Sequence, residues 1–392
     1  MSESPRNYPG LPPLGGWYTE EEIEAVVACL RDSMDWRKGF SGPEIGEFEA
    51  AFAAYHDVRH AIALNSCGTG LDIAMMCLDL QPGDEVISPA ITFCATHLAI
   101  VGQGGKPVLA EIDPATMNVD PADVERRITD RTRAILAVHN NGLSADMDAL
   151  QAVAEAHPHP QHGPAKVIGD AARACGAGYK GQRVGKAGWM NIYSFQSSKN
   201  MTTLGEGGMI VTDDDEAARR ARAYRSFSAG QTLWGTNYRM IGLQGAAGLV
   251  QLRRLDEMNA QRRDRAHRMT ELLSDIPELT LPAEPEGYHH IYYGYTVMVP
   301  EDWATEKRGR LMEWLQTERG VGTVVMNDPT YKHNAFLATL GFDPASVPVS
   351  ELTGQRLFCL SLHPLMTDED LEYITAAVRD GVALVRDEGD QQ

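Results

Sequence analysis

What this chain lacks narrows the possibilities first. No stretch approaches the roughly 18 uninterrupted apolar residues that a membrane-spanning helix requires. The opening residues, rich in Pro and Gly, show no basic start followed by an apolar run, so no signal peptide is expected. Cations are scarce: 35 Lys and Arg stand against 54 Asp and Glu, for a formal net charge of -19. Gripping nucleic acid takes clustered Lys and Arg, so that partner is excluded. A single phosphate held by backbone amides and hydroxyls is not excluded. The six cysteines (Cys29, Cys67, Cys77, Cys94, Cys175 and Cys359) are scattered, with no C-x-x-C pair. They read as reduced thiols of a cytoplasmic protein rather than a disulfide framework.

What remains is ordinary globular material. The chain has 392 residues, 43% of them hydrophobic and 23% charged, enough for two packed domains with a sizeable core. Residues 1–18 read as an N-terminal arm, either lying on the rest or forming a tail. Helices are expected at about 19–32 and 43–55. From residue 60, short apolar runs alternate with helical stretches. Strands are expected at His60–Leu64, Glu85–Ser88, Pro107–Ile112, Ala134–Val138, Lys166–Asp170, Asn191–Phe195 and Met209–Thr212. That alternation predicts an α/β fold, with a mainly parallel central sheet covered by helices on both faces. Ligands in such sheets sit outside the carboxyl ends of the strands. A long helix over 241–273 is expected to open a smaller C-terminal α+β domain, with strands at His290–Val299, Val321–Val325 and Phe358–Leu362. The expected division is 1–18, 19–240 and 241–392.

Three segments at predicted strand ends carry polar chemistry. The first is Ser194-Phe195-Gln196-Ser197-Ser198-Lys199, followed by the glycine-rich Gly205-Glu206-Gly207-Gly208. A partly buried amine at such an edge sheds its proton more readily and attacks aldehydes. Alone, Lys199 reads more simply as a surface lysine before a loop. The second is Asp170, which closes an apolar strand, where a carboxylate is costly unless it meets a cation or several donors. Alone it reads as a helix N-cap. The third, Asn65-Ser66-Cys67-Gly68-Thr69, is a strand-to-helix turn whose amides and hydroxyls suit one phosphate. Phe93, after the next strand, is either a stacking platform for a flat ring or a core residue.

The order of these pieces carries a resemblance. Added to Gly83-Asp84-Glu85-Val86-Ile87-Ser88-Pro89, Asp113-Pro114 with Thr116 and Asn118, Asp146-Met147-Asp148, Asn237-Tyr238-Arg239-Met240 and His363-Pro364, they run from about residue 18 to 383. The chain resembles the fold type I pyridoxal-phosphate enzymes, and among them the DegT/DnrJ/EryC1/StrS sugar aminotransferases. The resemblance implies pyridoxal 5'-phosphate as cofactor, with Lys199 carrying it and shuttling the proton. It implies that Asp170 holds the ring nitrogen, Phe93 stacks on the ring, and Ser194 with Cys67, Gly68 and Thr69 binds the phosphate. Arg173 falls where the family places a residue beside the ring hydroxyl. Asn237 would reach the phosphate in the neighbouring subunit, which implies a homodimer with shared active sites.

The implied reaction moves an amino group from glutamate or glutamine to a keto-sugar or keto-cyclitol. A dehydratase of the same family is the alternative, although such enzymes replace the lysine; a catalytically silent binding protein of this fold is the rival from another class. This sequence departs from the family pattern in the four-residue Ser66–Thr69 loop, in Gly169 and Arg173 around Asp170, and at residues 326–331. Several other features have bland readings. His157, His159 and His162 are spaced by prolines and read as a solvated loop, with no metal expected. The run His289 to Tyr295 is expected to be half core, with one edge facing a sugar pocket. Arg253, Arg254, Arg262 and Arg263 are expected to form a solvated basic face on the long helix.

Overall fold

The computed structural model describes residues 7–326 and 328–389. Its central sheet has seven strands in the order β1-β9-β8-β5-β4-β2-β3: β1 His60–Leu64, β2 Glu85–Pro89, β3 Lys106–Ala110, β4 Thr132–Val138, β5 Lys166–Asp170, β8 Met190–Ser194 and β9 Gly208–Thr212. Alternation within the strands explains the layering. In β1, Ile62 and Leu64 join one core with Leu71 and Met75 of α3 (Cys67–Cys77) and Ile100 of α4 (Cys94–Gly102). Ala61 and Ala63 face the opposite core. There Phe48 and Phe52 of α2 (Glu44–Tyr55) pack with Leu150 of α6 (Met147–Ala156) and with Leu255 and Met258 of α8 (Gly242–Leu273).

The strands β2 to β5 are parallel, as their helical crossovers require, and β8 also runs parallel to β5 although the chain between them forms no α-helix. β9 runs antiparallel to both β8 and β1, against the expectation that it continues the parallel series. The thirteen residues between Ser194 and Gly208 contain no helix, so the chain turns back beside β8 instead of crossing over. A small ribbon of β6 (Gly178–Tyr179), β7 (Gln182–Arg183) and β10 (Tyr288–His289) lies apart from the main sheet.

A second sheet, β11 (Tyr295–Met298), β13 (Leu357–Leu360) and β12 (Thr323–Val324), is antiparallel throughout. The helices α9 (Glu306–Arg319) and α12 (Asp368–Gly389) pack with the last turns of α8 to bury it, through Leu311, Leu315, Ile374, Val378, Met269 and Leu273. The expected strand at 290–299 is split. Tyr292 adopts φ 47°, a left-handed conformation that no strand tolerates, and its ring stacks on His290 at 3.9 Å. Three helices without an assigned place in the sequence reading, α7 (Asp215–Arg225), the one-turn α10 (Ala335–Ala338) and α11 (Pro348–Arg356), also lie among the described residues.

The basic face expected on α8 does not form. Only Arg253 is well solvated, at 62%. Arg254 pairs with Glu22 at 2.6 Å and Arg263 with Glu284 at 2.6 Å. Arg262 is buried, its guanidinium donating to the carbonyls of Leu362 and Gly15. Arg262 thereby clamps the N-terminal arm, which does lie on the fold over its described part. Tyr8 bridges to Val321, and the Gly15 amide donates to the Ser197 carbonyl at 2.9 Å. A Cβ at Gly15 would collide with the carbonyls of Ser198 and Lys199.

Four histidines are buried in these cores: His56, His97, His139 and His290. Burial holds His56 and His290 down to about 3, and His97 and His139 down to about 4. The unfolded chain takes up these protons near pH ~6.5, whereas the folded one resists until far lower pH. Stability is therefore full above about pH 6.5 and falls as pH drops toward 4, with a slope approaching ~1.4 kcal/mol per pH unit for each histidine. Urea midpoints at pH 7.5, 6 and 5 should fall in that order; a flat series would contradict this assignment.

Candidate active site

The carboxyl ends of β1, β2, β4, β5 and β8 open into one cavity of about 770 Å³. Its walls include Ser66, Cys67 and Gly68 after β1, Phe93 after β2, Asp170 and Arg173 at β5, and Ser194 and Lys199 at β8. Of the nine residues expected at the site, these seven positions from Cys67 to Lys199 come together. Thr69 and Asn237 do not line the cavity.

Asp170 is the most constrained of them, with 5% exposure. Its carboxylate accepts from the Ala172 amide at 3.1 Å and from the Thr96 hydroxyl at 2.9 Å. Burial raises its pKa, and those two bonds, with the positive charges of Lys199 and Arg173, offset the rise only in part. A cation laid against this carboxylate would be strongly favoured, which is what a protonated pyridine nitrogen supplies. Thr96 sits on the first turn of α4 and is itself oriented by Thr92 at 2.8 Å.

The turn into α3 shows how the four-residue loop is used. Ser66 caps the helix, its hydroxyl accepting from the Thr69 amide at 3.1 Å. The Thr69 hydroxyl is taken up by Asn65 and Ser66, each at 2.6 Å, so it is turned into the cap and away from the cavity. Cys67 directs its sulfur toward the Ile192 carbonyl, and burial pushes the thiol well above its usual range. What faces the cavity is therefore the open helix end at Cys67 and Gly68, where first-turn amides have no intrahelical acceptor. Gly68 leaves that space clear: the nearest neighbour of an added Cβ would be Ser66 Oγ at 3.8 Å. At Gly208 a Cβ would strike the backbone of Ser66 and Cys67, so the glycine-rich turn and the anion-binding turn pack backbone to backbone.

Phe93 precedes α4 with its ring 65% exposed, unusual for a phenylalanine and suited to covering a flat ligand. Arg173, 9% exposed, reaches the Asn140 side chain at 3.4 Å and the Met326 carbonyl at 3.5 Å. Lys199 is half-buried, its ammonium 4.5 Å from the centre of the Tyr293 ring. Leu11 of the arm and His333, not singled out from sequence, complete the wall with Gln196 and Glu206 of the quoted motifs and with Met326, Asp328 and Thr330 of the departing 326–331 segment; Asp328 and His333 pair at 3.1 Å. In the aromatic run, Tyr293 lines this cavity, while Tyr292 and Tyr295 belong to the core.

Asn237 is exposed in the 226–241 loop, its side chain oxygen accepting from the Arg239 amide at 3.3 Å. The same loop touches the anion-binding turn, since the Asn65 amide donates to the Tyr238 carbonyl at 3.0 Å.

The pocket, the cation-seeking carboxylate, the open helix end and the lysine together suit a ligand with a phosphate, a protonated ring and an aldehyde, as pyridoxal phosphate is. Comparison with known proteins agrees. The model of the DegT/DnrJ/EryC1/StrS aminotransferase family matches residues 18–379. The spore coat polysaccharide biosynthesis protein SpsC of Bacillus subtilis is 35% identical over 377 residues, 92% of this chain and 94% of that protein. The crystal structure of S. venezuelae DesV, solved with a ketimine intermediate, superposes with a TM-score of 0.85 at 32% identity, covering 95% of this chain and 99% of that one. Spr1654 from Streptococcus pneumoniae in its PLP-form gives 0.87 at 26% identity, with 96% and 99% covered. The chain belongs to the DegT/DnrJ/EryC1/StrS aminotransferase family.

Proposed function

We propose that this chain transfers an amino group from glutamate or glutamine to a keto-sugar or keto-cyclitol, working as a homodimer whose subunits share their active sites. Its class follows from the family: it is a pyridoxal-phosphate-dependent aminotransferase. One observation carries the mechanistic reading, the convergence of Lys199 and Asp170 on one cavity from the ends of neighbouring strands β8 and β5.

Bound pyridoxal phosphate supplies an electron sink for the donor's carbon. The protein's share is placement and proton traffic. Asp170 would keep a positive charge on the ring nitrogen by holding its own negative charge out of water. Ser194 and the amides of Cys67 and Gly68 would hold the phosphate, and Phe93 would fix the ring plane. Lys199 would hold the cofactor at rest and, once released, would move the proton. The acceptor would enter between Phe93 and the Met326, Asp328, Thr330 and His333 wall, where hydroxyl-bearing rings find acceptors and donors.

Support for the shared site comes from the 226–241 loop. Asn237 stands outside its own cavity, and Phe227 and Trp234 of that loop are 60% and 63% exposed. Large exposed aromatics mark contact surfaces.

Three outcomes are expected. The wild-type chain should show a visible absorbance band from the lysine-bound cofactor, and Lys199→Ala should lose both that band and transamination; a variant that kept its full rate would sink the mechanism. Mixing inactive Lys199→Ala with inactive Asn237→Asp chains should restore about half the sites in each mixed dimer, because one site then has both residues intact. Failure to regain activity on subunit exchange would argue that Asn237 serves no neighbour. Finally, the enzyme loaded with amine should return to the aldehyde spectrum on adding a keto-sugar or keto-cyclitol. If simple keto acids alone did so, the proposed acceptor class would be wrong.

A further inference from the structure

The segment between β10 and β11 is unusual for the work done to aim one side chain. Tyr292 takes a left-handed φ of 47°, a costly conformation for a bulky residue. The stack on His290 and the Tyr292 amide bond to His290 Nδ1 at 3.0 Å hold it there. The Ile291 amide donates to the Gly142 carbonyl at 3.1 Å, and the Gly294 amide to the Asn141 carbonyl at 3.4 Å, which fixes the segment on both sides. The result is that Tyr292 turns into the core while Tyr293, 5% exposed, lines the cavity.

The surroundings of Tyr293 are cationic. Lys199 Nζ lies 4.5 Å and Arg173 Cζ 5.7 Å from its ring centre, and the Ser198 hydroxyl is 3.2 Å from its own. Arg262 of α8 also feels its charge. Of the carboxylates on the cavity wall, Asp170 is committed between Thr96 and the Ala172 amide, Asp328 pairs with His333, and Glu206 stands on the glycine-rich turn. Burial would raise the Tyr293 pKa, but Lys199, then Arg173, and hydrogen bonds from Ser198 and Lys199 outweigh it and hold the phenol below the ordinary tyrosine range.

We propose that Tyr293 is a second proton-carrying residue of the site, its phenolate taking the proton that an amino-acid donor's ammonium must lose before its nitrogen can attack. One N–H bond of the ammonium breaks, its electron pair stays on the donor nitrogen, and one O–H bond forms on Tyr293; nothing is oxidised or reduced. Lys199, once its nitrogen holds the cofactor, would have no free amine for this, and Asp170 would be committed to the ring nitrogen. Arg173, one of the departures around Asp170, then has a role: its fixed charge, 5.7 Å from the ring centre, and the Ser198 hydroxyl stay beside the phenol and favour the phenolate. The inference rests on the aminotransferase reading above.

The test begins with a readout that needs no turnover. The full chain, prepared with and without pyridoxal phosphate and labelled with ¹³Cζ-tyrosine, is titrated by NMR. Without cofactor, one tyrosine should ionise below the rest, be missing in Tyr293→Phe, and move up by about one pH unit or more in Lys199→Met. In the loaded enzyme, the single-turnover rate with donor should be roughly 100-fold lower in Tyr293→Phe at pH 7. That deficit should close toward pH ~10, where the donor is already a free amine. A purely structural tyrosine would give the same deficit at every pH, and that result, or a Tyr293 that titrates with the other tyrosines, overturns the proposal. Loss of the visible band in the wild type would instead strike the aminotransferase reading, and leave the cofactor-free titration to decide on Tyr293.

Discussion

The carboxylate of Asp170 sets the terms for the rest of the site. It ends a strand in the middle of the sheet, shielded from water, and accepts from the Ala172 amide and the Thr96 hydroxyl. Burying an anion is costly unless a cation meets it. The fold supplies two cations nearby, Lys199 and Arg173, and still leaves the carboxyl with a raised pKa. A planar, protonated ring nitrogen would complete the balance. The open end of α3 and Lys199 lie at the same edge of the same sheet, where they would meet the phosphate and aldehyde ends of such a ring. Catalysis by preorganised charge would follow from this one buried carboxylate.

The second constraint is mechanical. Lys199 lies on a turn without regular structure, and a lysine so placed needs external support. The N-terminal arm provides it, running from the second sheet at Val321 to the backbone of Ser197, with Leu11 on the cavity wall between. Arg262 fastens the arm from below, its charge spent on the carbonyls of Gly15 and Leu362 and its pKa pulled down by burial to about 10. One buried guanidinium thus ties the arm, the long helix α8 and the end of the second sheet to the reactive turn.

Much of this was legible in the sequence, for reasons that also explain the rest. Five-residue apolar runs with helical spacers gave the strands of the main sheet almost to the residue, since a strand buried on both faces has little freedom in composition. Asp170, Ser194, Phe93 and Lys199 were legible as strand-end residues, which the topology gathers at one edge. Tyrosine and histidine favour strands, so 290–299 reads as one; the break at Tyr292 comes from a stack with His290 that no local preference encodes. The direction of β9 depends on the geometry of a connection, and apolar pattern is blind to it. The arginines of α8 find Glu22, Glu284 and Gly15 across more than twenty residues of chain or across the whole fold, so a helical wheel could not foresee their burial. Thr69 illustrates the limit at the site itself: its type suits a phosphate, but a neighbouring Asn65 and Ser66 claim its hydroxyl first.

A buried carboxylate of this kind would bind the cofactor chiefly through its positive ring. The most direct measurement is the affinity of the full chain for pyridoxal phosphate in wild type and in Asp170→Asn, which keeps shape and removes charge. Losing one partner of a buried charge pair costs about 3 kcal/mol or more. At about 1.4 kcal/mol per tenfold, the variant should bind about 100-fold more weakly. Equal affinity in the two proteins would contradict the account.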